Sequence, residues 1–594
     1  MKTRLLILLL FIGTSFINAQ NYSIQLMKNI NPNGSSSPNS FFEFNDKVYF
    51  AADDGINGSE LWVTDGTALG TKMVKDLNPS ESSNPHNFFV FNNKLYFIAS
   101  NHTNTNPEFI NDEIWMTDGT ASGTQMLKDI KPGIFSSDPQ ILYVDQDIFY
   151  FSADDGVNGV ELWVSDGTPL GTKFLKNINP GSGGSNPRSF ILFENNLFFV
   201  ATNGINGYEI WQTDGTMSGT QLFKDINPGN ASSNPNNFTI LNNKLYFSAN
   251  DDMNGMELWV TDGTYTGTTL VKDIRVGGGD SNPSNLVVWN NKIYFAANQL
   301  TDDNELWVTD GTALGTKMVK DLNPSLSSNP HNFFVFNNKL YFIASNHTNT
   351  NPDFINDEIW MTDGTASGTQ MLKDIRPGIF SSNPQIIYVD QDIFYFSADD
   401  GVNGVELWKS DGTAIGTQLL KDINGPGGSN PTGMLVWNGK FYFTADGGSS
   451  VKGIQLWRTE GTHSGTEMLQ PSFNTANNPL ASTNYFVYQG DFYFTASYDN
   501  NGLELYKFTD LTLDVSDDTA IETITIYPNP TRDILTVEGL TKVEIFSITN
   551  DLGQEVWRSM LGKDKNTFSI ENLPNGIYLL HNRDYTIQKK VIKE

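Results

Sequence analysis

Carboxylates and carboxamides gathered in short loops are the side chains of this sequence best suited to holding a ligand. The run Asp154-Asp155-Gly156-Val157-Asn158-Gly159 has cousins at Asp53–Gly58, Asp251–Gly255 and Asp399–Gly404. Such oxygen clusters suit Ca2+, which takes about 6–8 oxygen ligands. The run lacks the alternating Asp spacing and the distal Glu of an EF-hand loop. Asp and Asn also close turns on their own backbone with no ion. Calcium is therefore the weaker reading, no other cofactor is implied, and no metal ligand is assigned. A second recurrent group, Asp65-Gly66-Thr67 with Gly70-Thr71, reads as a tight turn closed by Asp and Thr hydrogen bonds. Lys75-Asp76 reads as an exposed ion pair on an outer strand, a contact contributing about 0–1 kcal/mol.

The six histidines form no centre. His86 and His331 are duplicates, as are His102 and His347, while His463 and His581 stand alone. There is no Gly-x-Ser-x-Gly elbow, phosphate-cradling glycine loop or His-Glu-x-x-His, so no catalytic residue is assigned. The separation of a glycosidase-type carboxylate pair is invisible in a sequence. With Cys 0, disulfides, thiolate metal sites, iron–sulfur clusters and thiol nucleophiles are excluded. The net charge of −30 argues against nucleic acid and anionic membrane surfaces as partners.

Repetition sets where these groups lie. Glu60-Leu61-Trp62-Val63-Thr64-Asp65-Gly66-Thr67 recurs around Trp115, Trp163, Trp211, Trp259, Trp307, Trp360, Trp408 and Trp457, with a decayed tenth copy at Glu504-Leu505-Tyr506. Residues 60–161 nearly repeat at 305–406, so ten units resemble a doubled set of five. A period of about 40–50 residues fits a four-stranded propeller blade. In the first unit the strands are expected at Phe41–Phe44, Lys47–Ala52, Glu60–Thr64 and Lys72–Leu77, with Asn, Asp and Gly at the turns. Both faces of Leu61-Trp62-Val63 are apolar, which predicts sheets stacked on both sides. The motif tryptophans then pack blade against blade; a row of exposed sugar-stacking rings is the other reading.

The expected fold is all-β: a β-propeller of ten four-stranded blades over residues 20–509. It is closed by the N-terminal strand Ile24–Ile30, which completes a last blade lacking its own fourth strand. Two five-bladed propellers satisfy the same arithmetic. In such a propeller the Asp154-type loops share one acidic face with the two longer loops between second and third strands, Asn101–Asp112 and Asn346–Asp357. Asp154, Asp155, Asn158, His102 and His347 are the candidate binding residues on that face.

Residues 1–19 read as a signal peptide: Lys2 and Arg4, a short apolar run, and cleavage after Ala19. No other stretch is long and apolar enough to be a transmembrane helix. Residues 510–520 form a polar linker, and 521–594 alternate short apolar runs with Gly, Asn and Pro, as in a small Ig-like β-sandwich.

That last segment carries a resemblance. Tyr527-Pro528-Asn529-Pro530, Asp533-Ile534-Leu535, Asp551-Leu552-Gly553, Leu573-Pro574-Asn575-Gly576-Ile577-Tyr578 and the terminal Lys589-Lys590-Val591-Ile592-Lys593 resemble the type IX secretion C-terminal sorting domain (type A) of Bacteroidetes. The resemblance implies handling by the type IX machinery and a destination outside the cell or on its surface. The repeats resemble the ELWxxDGT repeats of exported proteins of the same bacteria, a likeness that implies no activity. The function expected is a non-enzymatic module binding an extracellular glycan or protein. A hydrolase or lyase acting on external polysaccharide, and a structural or adhesive coat protein, are the alternatives.

Overall fold

Val48-Tyr49-Phe50-Ala51-Ala52 and Leu61-Trp62-Val63 are rich in β-branched and aromatic residues, and every one of them is buried. In the computed structural model they are neighbouring strands, with Tyr49 opposite Val63, Phe50 opposite Trp62 and Ala51 opposite Leu61. The structure describes residues 22–594 except 80, 102–110, 134, 301–302, 325, 347–355, 449–452, 470–483, 499–501, 512–523, 541–543, 551–554, 563–565, 583–587 and 594. His102, His347, Gly553 and the leader with Ala19 lie outside the described residues.

The unit is an antiparallel sheet. After β1 (Tyr22–Lys28), the first sheet is built in chain order from β2 (Asn39–Glu43), β3 (Val48–Asp53), β4 (Ser59–Thr64) and β5 (Lys72–Lys75). Nine such sheets follow one another along the chain among the described residues. The tenth combines Tyr485–Tyr488, Asp491–Ala496 and Glu504–Asp510 with β1, which lies beside Glu504–Asp510 as the sequence requires. Most strand limits lie one or two residues from expectation, and two of the shifts have a clear local cause. β2 starts earlier because Ser40, at φ 59°, carries a bulge between Asn39 and Phe42. β5 stops at Lys75 because the Leu77 N–H turns away to the Glu60 carboxylate at 2.7 Å.

Each sheet buries its face on the next. Tyr49, Leu61, Val63 and Val74 of the first sheet share a core with Leu95, Phe97 and Trp115 of the second. The same positions form the following junctions. Tyr442 packs its ring at a tilt, 4.9 Å from that of Phe492, between the ninth and tenth sheets. Tyr488, Tyr493 and Leu505 of the tenth meet Val48 of the first. The nine motif tryptophans are only 3–8% exposed, so they are packing residues and not a row of open stacking platforms. At about 1.5–3 kcal/mol per large apolar side chain, this two-sided burial is what a sheet standing alone would lack.

The turn between the third and fourth strands of each sheet docks on the preceding sheet. Gly119 has φ +92°, and a Cβ added there would lie 2.4 Å from the Tyr49 hydroxyl. Gly119→Ala is expected to cost about 2 kcal/mol through backbone strain and displacement of Tyr49, read as a lowered midpoint in urea unfolding.

The strands within residues 525–594 share a core of their own, with Leu535, Val537, Phe546, Ile548, Leu580 and Val591. One sheet orders Thr525–Tyr527, Ile534–Glu538 and Asn566–Ser569; the other orders Glu555–Leu561, Glu544–Thr549, Gly576–Asn582 and Gln588–Lys593. Strands Thr525–Tyr527, Glu555–Leu561 and Asn566–Ser569 go beyond the sequence reading. Among the described residues no helix is long and apolar enough to cross a membrane.

Candidate functional site

The acidic loops spend their oxygens on themselves. Asp155 Oδ1 accepts the Val157 and Asn158 N–H groups at 2.9 and 2.7 Å, and its Oδ2 accepts the Asn158 amide at 2.7 Å. Asp54 and Asp400 repeat the pattern. Burial disfavours the Asp155 carboxylate, but these donors outweigh it and hold its pKa below the usual value. Asn158 turns its own oxygen to the Asn177 amide at 2.8 Å. Among the described residues no group of three or more His, Asp and Glu is gathered for a metal. The Asp65 turn is equally self-contained: Oδ1 takes the Thr67 N–H and hydroxyl at 2.9 and 2.7 Å.

The motif glutamate is a group that sequence reasoning passed over. Glu209 is fully buried, and its carboxylate accepts Ile226 N–H at 2.9 Å, Ser233 N–H at 2.7 Å and the Ser233 hydroxyl at 2.5 Å. It thereby fixes the connection leading to the next sheet. Glu60, Glu113, Glu161, Glu257, Glu305, Glu358, Glu406 and Glu504 occupy the same position, and Gln455 stands there in the ninth sheet. The signals in the sequence were the recurrence of Glu two residues before the motif aromatic in every unit but the ninth and a Ser some 24 residues later.

Burial outweighs those hydrogen bonds and pushes Glu60, Glu113, Glu209, Glu257, Glu305 and Glu358 up to about 7. A raised folded-state pKa means that folding takes up protons between the unfolded Glu value and about 7. This contribution is full below the unfolded value and disappears as pH rises through 7. The exposed turn carboxylates such as Asp65 and Asp118 are shifted down by their Thr hydrogen bonds, so their contribution is lost only in more acidic solution. Thermal stability is thus expected to fall steadily from about pH 5 to pH 8, in high salt as well as low. A melting temperature rising across that range would contradict it.

The outer-strand lysines require a correction. Lys75 does not pair with Asp76; its ammonium donates to the Thr124 carbonyl of the next sheet at 2.7 Å. Lys128, Lys272 and Lys373 make the equivalent bond to Thr172, Thr316 and Thr417, and Lys28 of β1 reaches Thr71 at 2.6 Å. Their role is to join neighbouring sheets.

A pocket of about 570 Å3 lies among these loops, lined by Lys131, Phe135, Asp154, Asp155, Gly156 and Ser182 among others. It arises where the repeat changes. At the position of Lys131 other units place Asn31, Asn78, Asn179, Asn323 or Asn424, whose amide caps its own loop. Lys131 instead reaches the next sheet, pairing with Asp154 Oδ2 at 2.6 Å, and its ammonium lies 5.9 Å from the Phe135 ring centre. The second half repeats this: Arg376 pairs with Asp399 at 2.5 Å and lies 5.2 Å from Phe380. Asp154 and Asp155 were expected from the sequence; Phe135 and the ion pair were not, although the change from Asn to Lys was visible.

In the C-terminal unit the motif residues meet. Asn529 donates its amide to the Lys590 carbonyl at 2.7 Å and accepts Ile592 N–H at 2.8 Å, and the Tyr578 hydroxyl donates to the Pro574 carbonyl at 2.7 Å. The Tyr527-Pro528-Asn529-Pro530 segment is thus fastened to the last strand.

Residues 525–594 match the family described as "Secretion system C-terminal sorting domain". No curated protein matches the sequence. Among solved structures, a puromycin hydrolase is 10% identical with a TM-score of 0.30, covering 62% of this chain and 58% of its own. The chain therefore spans a little over half of that protein's length. PorZ, a surface component of the type-IX secretion system of Porphyromonas gingivalis, is 13% identical with a TM-score of 0.19, covering 93% of this chain and 86% of its own. A puromycin-hydrolyzing peptidase of Mycobacterium tuberculosis is 9% identical with a TM-score of 0.30, covering 61% and 58%. At these TM-scores the likenesses carry no argument for fold or activity. The sorting domain bears on destination alone: it implies secretion through the type IX system, to the cell surface or beyond.

Proposed function

We propose that this chain is an exported binding protein without catalytic activity, its ten sheets being the blades of one closed propeller that presents ligand-binding loops outside the cell. The closed order of contacts, tenth sheet on first, supports a single wheel over two five-membered ones. One observation carries the functional reading. The recurrent carboxylates are committed to turns or to buried backbone donors, while the pocket at Lys131 and Phe135 combines exposed aromatic surface with polar groups, as small-ligand sites do.

The test is incubation of the purified protein with a panel of soluble polysaccharides, following both retention on the polysaccharide and release of reducing ends. Retention without release is expected. Release above a heat-treated control would establish the hydrolase or lyase reading instead, and neither would favour a purely structural coat protein. Calcium is not needed by this reading, so the melting temperature should be the same in millimolar Ca2+ and in chelator.

A further inference from the structure

Three junctions place a cation where other units have the loop-capping Asn; Arg275 keeps the cap on its own loop, donating to the Asp280 carbonyl at 3.4 Å, and the other two depart further, in the same way. In both, the loop-capping Asn is replaced by a cation, a Phe follows four residues later, and the cation is drawn across to an Asp on the next sheet. Phe135 and Phe380 remain 52% and 49% exposed, although large aromatic rings are ordinarily buried. Both junctions also adjoin the two longest of the loops that join second to third strands. Asn111, at the end of one, donates its amide to the Gly133 carbonyl at 3.2 Å, and Asn356 does the same to Gly378 at 3.1 Å.

The geometry points to a carbohydrate site at each junction, in which a neutral sugar ring lays its C–H face on Phe135 or Phe380 and shares its hydroxyls between Lys131 and Asp154, or between Arg376 and Asp399. This deepens the binding reading above and rests on it. A sugar hydroxyl both donates and accepts, so it can bridge an ammonium and a carboxylate while leaving their pairing intact. A charged ligand would have to pull one ion away from the other. A divalent cation is poorly served, because Asp154 Oδ1 already accepts Gly156 N–H at 2.7 Å and both oxygens of Asp155 are engaged by Val157 and Asn158. The pocket's volume of about 570 Å3 is of the size that holds small ligands.

Electrophoresis through gels containing laminarin, xylan, mannan or galactan tests this, followed by calorimetric titration with the hexasaccharide of whichever polymer retards the protein. The full chain is expected to bind two equivalents. Phe135→Ala and Phe380→Ala are each expected to bind one, and the double variant's affinity should fall by about tenfold or more. All three should keep the parent's melting temperature, since the rings are half exposed. Undiminished binding by the double variant would overturn the site while sparing the binding reading. Failure of all four polymers to retard the parent would overturn the carbohydrate assignment. Cleavage of a polymer by the parent would instead remove the binding reading, whatever the variants do.

Discussion

A chain lacking residues 22–37 is expected to lose the folded repeat region or to retain it only weakly. This segment supplies β1, whose Ile24 and Met27 are buried, and Ile30 just beyond it. It also supplies the donors to Glu504: Ile30 N–H at 3.1 Å, Asn31 N–H at 3.2 Å and the Ser36 hydroxyl at 2.6 Å. Three apolar side chains at about 2 kcal/mol each, together with a buried carboxylate stripped of its partners, amount to roughly 8 kcal/mol. That is comparable with the whole stability of an ordinary domain. Urea unfolding followed by tryptophan fluorescence should show an early, broadened transition, and gel filtration should show association through the bared strand Glu504–Asp510. Addition of a peptide of residues 22–37 should restore the midpoint. A truncated chain unfolding within about 1 kcal/mol of the parent would show that the tenth sheet does not depend on β1.

The second large effect concerns the buried glutamates. Glu209→Ala removes the acceptor from two N–H groups and one hydroxyl in a fully buried site. At about 1–3 kcal/mol per orphaned donor, a loss of about 3–9 kcal/mol is expected. Glu209→Gln should cost far less, about 1–2 kcal/mol, because one oxygen remains and Gln455 already occupies this register opposite Ala445. The Gln variant should also flatten part of the decline in stability between pH 5 and pH 8. Equal losses for Ala and Gln would mean that the carboxyl's hydrogen bonds are not what holds the connection.

The strands were legible in the sequence because their cause is local. Glu60-Leu61-Trp62-Val63-Thr64 is extended by its own composition, and its repetition fixed the sheets and the place of the closing strand. Partners were not legible where they lie far along the chain. Lys75 stands next to Asp76 in sequence and reads as its ion pair, yet its acceptor is Thr124, 49 residues away. Glu60 carries no sign of its role in the sequence, and only its closeness to Leu77 and Ser83 in space makes it a buried acceptor. The turn aspartates were legible for the same reason as the strands, since Asp155 bonds residues two and three positions on. Phe135 was hidden because an aromatic in a Pro-Gly loop gives no periodic signal; only comparison of equivalent positions between units picks it out.

The bond between Ile30 and Glu504 spans 474 residues, and this sets when the fold can be completed. The first strand synthesised must wait for nearly the last before it finds its place, so a growing chain carries nine sheets and an unlatched end. Contacts so distant in sequence form slowly. Closure of the tenth sheet can therefore come only after almost the whole repeat region has been made, so completion of the chain and completion of the fold are a single event.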